Sequence, residues 1–152
     1  MKYLCLVYYD EAIMNGMSAA EWAALNRECI GCVDGMRASG HFLDGAPLEP
    51  VATATTLRVR NSKLSLTDGP FAETREQLAG FYMIEARDLN EAIQVASKIP
   101  PARYGSIEVR PVRDLECFRA SDTTNTTNTT NTTNTTATTA TTDTTDATDA
   151  TA

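Results

Sequence analysis

The chain has 152 residues, a length that fits one domain. Its 13 Lys and Arg stand against 20 Asp and Glu, a formal net charge of -7. That balance speaks against a phosphate-binding surface, because nucleic-acid affinity comes largely from a basic patch. No apolar run approaches the ~20 residues a membrane span needs, so neither direct nucleic-acid binding nor membrane association is expected.

Residues 123–152 contain only Thr, Ala, Asn and Asp, and every basic residue lies before Ser121. Ordering a backbone residue costs roughly 1–2 kcal/mol, and this stretch has no large apolar side chain to offset it. The expected organisation is a folded domain over 1–118 and a disordered Thr/Asn/Ala/Asp-rich tail over 119–152. Asn125, Asn128, Asn131 and Asn134 each open an Asn-Thr-Thr sequon, as in a glycosylated stalk. Yet the apolar opening at residues 3–9 is too short, and too soon acidic, for a secretory signal. A cytoplasmic chain is therefore expected, with Cys5, Cys29, Cys32 and Cys117 as reduced thiols.

Residues 2–9 read as a strand that is apolar on both sides, with Tyr3, Cys5, Val7 and Tyr9 on one and Leu4, Leu6 and Tyr8 on the other. Ser18-Ala19-Ala20-Glu21 is a capping box. The helix it opens carries the stripe Trp22, Leu25, Cys29, Cys32 or Val33, and Met36. Both thiols of Cys29-x-x-Cys32 fall on that stripe, which favours buried thiols over half a metal motif. Gly40 is a plausible stop.

Residues 41–48 form a short strand ended by Pro47 and Pro50. Residues 54–60 alternate, with Leu57 and Val59 opposite Arg58 and Arg60, and residues 63–67 alternate through Leu64 and Leu66. Asn61-Ser62 can turn the chain between them. After the turn signal Asp68-Gly69-Pro70, residues 80–86 form a strand with Phe81 and Met83 against Tyr82 and Ile84. Asp88 opens a second helix with Leu89, Ala92, Ile93, Ala96 and Ile99 on one side, and Pro100-Pro101 ends it. Residues 107–112 are the last strand.

The order β-α-β, hairpin, β-α-β predicts an α+β ferredoxin-like fold, an antiparallel sheet with two helices on one face. Two helices cannot cover both faces, and the bare one is apolar in at least two strands. A homodimer packing sheet on sheet, burying on the order of 1,200–2,000 Å², is expected.

The stretch Thr67-Asp68-Gly69-Pro70-Phe71-Ala72-Glu73-Thr74-Arg75-Glu76-Gln77-Leu78-Ala79-Gly80-Phe81-Tyr82 closely resembles the signature of the DGPF proteins, a branch of the YCII-related family. Met1-Lys2-Tyr3, Ala52-Thr53-Ala54-Thr55-Thr56 and Gly105-Ser106-Ile107-Glu108-Val109-Arg110-Pro111 extend the resemblance over residues 1–116. It implies a dimeric α+β barrel of ferredoxin-like subunits and a bacterial chain, often one that accompanies an extracytoplasmic-function sigma factor. Distant fold relatives include muconolactone isomerase and small lyases. YCII relatives with a proposed His-Asp pair carry the His at the start of the first helix and the Asp after the second. Here those places read Ser18-Ala19-Ala20-Glu21-Trp22 and Ile99-Pro100-Pro101, so the pair does not carry over.

Two residues are the candidate proton carriers. Asp68 is either an Asx-turn residue, with Phe71 plugging an apolar gap, or a carboxylate at a cleft mouth tuned by Glu73 and Arg75. His41 is either a helix-terminal cation or a general base, with Asp44 and Asp10 as conceivable partners. Phe71, Glu73, Arg58 and Tyr82 are candidate ligand contacts. Arg58, Arg60 and Arg110 read as solvated or ion-paired, or as anchors for an anion. Tyr8, Tyr9 and Tyr82 read as core or interface residues, or as pocket walls.

No metal cluster, phosphate loop or nucleotide fingerprint stands in the sequence, so no cofactor or metal is expected. The function expected is a small-molecule-binding homodimer, with weak lyase or isomerase chemistry by Asp68 and His41. The alternative is a non-catalytic regulatory module associated with a sigma factor.

Overall fold

The structure, a computed structural model, describes residues 1–115. The expected boundary at 118/119, the Thr-rich tail and Cys117 lie outside the described residues. Residues 1–113 form one compact unit. Along it run β1 (Lys2–Tyr9), α1 (Glu11–Asn15), α2 (Ala19–Ala38), β2 (Phe42–Pro47), β3 (Thr55–Arg60), β4 (Lys63–Asp68), β5 (Gln77–Glu85), α3 (Leu89–Ala96) and β6 (Gly105–Pro111).

Four strands make one antiparallel sheet in the order β2-β5-β1-β6, and β3-β4 is a separate hairpin. With the hairpin set aside, the path is β-α-β-β-α-β with the first and third core strands at the centre. This is the ferredoxin-like α+β arrangement expected from the sequence. Helices α2 and α3 lie on one face. There Tyr3, Cys5 and Val7 of β1 and Ile84 of β5 pack with Met36, Ala92, Val95, Ala96 and Ile99.

The helix ends follow their residues. Ser18 and Glu21 form the complete capping box of α2, with the Ser18 amide donating to Glu21 Oε2 at 2.8 Å. At the other end Gly40 takes φ +75°. The Gly40 amide then reaches the Arg37 carbonyl at 3.0 Å and the His41 amide the Met36 carbonyl at 2.9 Å, a Schellman closure. Helix α1 was not expected; Asp10, read as a conceivable partner of His41, instead caps it by accepting from the Ala12 amide at 2.9 Å. On α3 the buried stripe is Ala92, Val95 and Ala96, continued by Ile99, while Leu89 and Ile93 stand half exposed. A helix of eight residues offers the sheet one narrow stripe, and the spacings of three and four from Ala92 win it.

The hairpin keeps the alternation read from the sequence, which left open the side that faces inward. Asn61 (φ 50°) and Ser62 (φ 60°) form the tight turn foreseen. The aliphatic side faces outward. Leu57 faces Leu66 and Val59 faces Leu64 across the strands, and these four are 59%, 62%, 53% and 61% exposed. Thr56 and Arg58 are the half-buried positions. The Thr56 hydroxyl donates to the Gly69 carbonyl at 2.8 Å and Arg58 Nη2 to the Phe71 carbonyl at 3.4 Å. The polar face is thus turned to the chain's own loop and the aliphatic face to solvent.

Candidate functional site

A cavity of about 610 Å³ opens between α2 and the sheet. Trp22, Leu25, Cys29 and Val33 roof it, Val7, Tyr9, Gly80 and Tyr82 floor it, and Met14, Phe42 and Pro47 close its ends. The roof is the apolar stripe of α2, which the capping box and Schellman closure hold over the sheet. A glycine opens the floor between the two tyrosines. A side chain at Gly80 would bring a Cβ within 2.8 Å of the Ala46 carbonyl oxygen, so the bare backbone keeps β2 and β5 in contact there.

The polar groups inside are few and neutral. Burial, above all, pushes the Tyr82 hydroxyl well above its usual range, with Cys29 and Cys32 adding to the effect. Burial raises the Cys29 thiol as well, and the hydrogen bond with Tyr82 partly counters it. Tyr9 is raised by burial and then by Glu11. At neutral pH these groups are protonated donors rather than thiolate or phenolate nucleophiles. Charge is confined to Asp34 and Arg37, an exposed pair at 3.6 Å, and the Arg37 guanidinium lies 4.8 Å over the Phe42 ring.

Of the candidate proton carriers and ligand contacts, Tyr82 alone lines this cavity, joined by Tyr9, which was read as a possible pocket wall. His41 lines a second cavity of about 470 Å³, beside Cys32 and Lys98. Its Nδ1 lies 2.9 Å from the Glu85 carbonyl oxygen. A carbonyl only accepts, so Nδ1 donates in this bond. Neither Asp44 nor Asp10 is its hydrogen-bond partner.

Asp68 closes β4 on the hairpin and lines neither cavity. Gly69 takes φ 99° as the turn signal requires, but its amide bonds the Ala54 carbonyl at 2.7 Å instead of the Asp68 side chain. Phe71 is 81% exposed and plugs no gap. Glu73 is exposed, and Arg75 reaches Asp10 at 3.6 Å rather than Asp68. Arg110 pairs with Glu108 on its own strand at 3.6 Å. The structure therefore brings Asp68, Phe71 and Arg58 together around one hairpin root and leaves His41 and Tyr82 elsewhere.

Trp22, Leu25, Cys29 and Val33 were legible only as a core stripe. A stripe shows which side chains face inward, but not whether the opposing strand fills the space below them. Among the described residues, no group of three His, Cys, Asp or Glu stands close enough to hold a metal ion, and no helix is long and apolar enough to cross a membrane.

The chain is similar to an uncharacterised protein of Rhizobium meliloti (strain 1021), at 37% identity over 114 residues, which cover 74% of this chain and 92% of the relative. The pattern of the YCII-related domain matches residues 1–116, the whole of the sheet, its helices and the cavity between them. The chain belongs to the YCII-related domain family.

Proposed function

We propose that this chain is a small-molecule-binding subunit whose ligand sits between α2 and the sheet. The observation that carries this reading is the apolar cavity of about 610 Å³ with the Tyr82 hydroxyl and the Cys29 thiol as protonated groups in its wall. Such a site takes a compact, mostly apolar compound with one acceptor, such as a carbonyl or lactone oxygen. Asp68 and His41 stand outside it, so the reading keeps binding and leaves out proton transfer by those two residues.

Trp22 in the roof is a built-in reporter. Titrating the full chain with small phenols and lactones is expected to change its fluorescence saturably. Tyr82→Phe should weaken binding about tenfold by removing one hydrogen bond, and Cys29→Phe should abolish it by filling the space. No saturable change with any compound, or unaltered binding in Cys29→Phe, would overturn the reading.

The same proposal places two copies sheet to sheet. Both long helices lie on one face, and on the other Leu4 stands beside Met83 and Leu6 beside Phe81. Burying that face calls for a partner surface of about 600–1,000 Å² per copy. Sedimentation at micromolar concentration tests it, and a monomer there would refute it.

A second reading is a non-catalytic regulatory module working with a sigma factor. It is favoured by Ser18–Trp22 and Ile99–Pro101, which lack the His and Asp of the proposed family pair. The Thr67–Tyr82 stretch further supports the DGPF branch. Failure of any sigma factor to co-purify with the full chain would count against the regulatory reading.

A further inference from the structure

The β3-β4 hairpin is built inside out. A two-stranded ribbon is marginal in water unless one face packs on something. Here the packed face is Thr56 and Arg58 against the chain's own loop, and the face of Leu57, Val59, Leu64 and Leu66 meets solvent among the described residues. Four aliphatic side chains, each more than half exposed and paired in two rungs, form a contiguous patch of the kind that marks an interaction surface.

We infer that this hairpin is a docking arm for a second copy of the chain, which its Leu57-Val59-Leu64-Leu66 face grips beside the bare sheet. The inference rests on the dimer proposed above and adds a contact that sheet packing alone does not supply. Two observations select a second copy as the occupant.

The first is charge. The arm, residues 55–68, carries Arg58, Arg60 and Lys63 against Asp68. The other described residues carry nine basic and fourteen acidic side chains, a balance of −5. A basic arm therefore meets an acidic body in its own twin. Asp44 stands beside Met83 on the uncovered sheet face where the tip cations would arrive, while Glu108, beside Leu6, is already paired with Arg110.

The second is area. Leu4, Leu6, Phe81 and Met83 are only partly exposed, so these four add little toward the ~600–1,000 Å² that each partner of a stable dimer buries. The arm contributes four more exposed aliphatic groups from the same chain. An isologous contact uses each twice, once from either copy.

The test combines sedimentation equilibrium with amide hydrogen exchange on the full chain. Leu57→Asn/Leu66→Asn changes exposed positions, so the fold is retained, as circular dichroism will show. The expected result is a dimer dissociation constant raised about 100-fold, and about tenfold by Arg60→Glu/Lys63→Glu. Amides of residues 55–68 should gain protection as wild-type concentration rises through that constant. A wild-type dimer whose affinity both variants leave unchanged, or whose arm amides exchange at the same rate at all concentrations, would overturn the arm and leave the sheet dimer standing. A wild-type monomer throughout would overturn both.

Discussion

The indole N–H of Trp22 on α2 donates to the Met14 carbonyl of α1 at 3.2 Å. This bond joins the two helices at the cavity wall, where Met14 itself is buried. Trp22→Phe keeps an aromatic roof and removes the bond. It should cost about 1 kcal/mol in urea unfolding, while amides of residues 11–15 exchange faster. Unchanged exchange there would mean that α1 is held by Met14 packing alone.

Cys5 sits in the centre of the sheet with no exposed surface, and burial pushes its thiol up to about 11. In the unfolded chain the thiol ionises near its ordinary value of 9.0. The folded chain must keep it protonated, so stability is full below that value and falls as pH rises toward about 11. The loss reaches about 3 kcal/mol at ~1.4 kcal/mol for each pH unit. Cys5→Val keeps an apolar side chain and removes the titration. Denaturation midpoints at pH 7.5 and 10.5 should draw closer in that variant, the remaining gap coming from Tyr82, Cys29, Cys32, Tyr9 and Tyr8, which burial raises in the same way.

Gly105 begins β6 directly opposite Tyr9. A Cβ there would collide with the Tyr8 carbonyl oxygen and come within 2.8 Å of Tyr9 Cα. Both are backbone atoms of the central strand and cannot swing aside. Gly105→Ala should therefore lower stability by about 3 kcal/mol, read as a lowered Tm. Gly31→Ala, which meets nothing within 4 Å on the exposed side of α2, is the neutral-to-stabilising control.

Asp68→Ala and His41→Ala should leave the affinity of a cavity ligand within about twofold, because neither side chain touches the binding space and distant sites act independently. Isothermal titration with any compound found through Trp22 measures this. A tenfold loss in either variant would show that the ligand extends beyond the cavity described.

The capping box of α2, its glycine stop and the hairpin turn were legible because each depends on a few adjacent side chains; α1, and the end of α3 at Ala96 short of Pro100, were not. Ser18 and Glu21 specify a cap by themselves, and Asn61-Ser62 and Gly69 specify turns by their backbone conformations. The α+β fold followed from two helices and one two-sided apolar sheet. The cavity was not legible. Cys29 and Tyr82 meet only because the helix roof and β5 stand a certain distance apart, and no local pattern encodes that distance. Nor was the inverted hairpin: Leu57 and Val59 alternate with Arg58 in either orientation, and only the attachment of Thr56 and Arg58 to the loop chooses between them.

Between Val7 and Tyr8 the register of β1 against β5 slips, since Val7 opposes Gly80 and Tyr8 opposes Leu78. Strand β5 thus spends one residue, Ala79, without a counterpart, and Ala79 and Gly80 both border the cavity. The hollow is in this sense a counting mismatch between two strands. Deleting Ala79 would restore even counting, keep Leu78 opposite Tyr8 and Gln77 opposite Tyr9, and draw β5 straight where it now bulges beside the cavity. A single lost codon would then reshape the floor of the chamber while leaving the order of the strands intact.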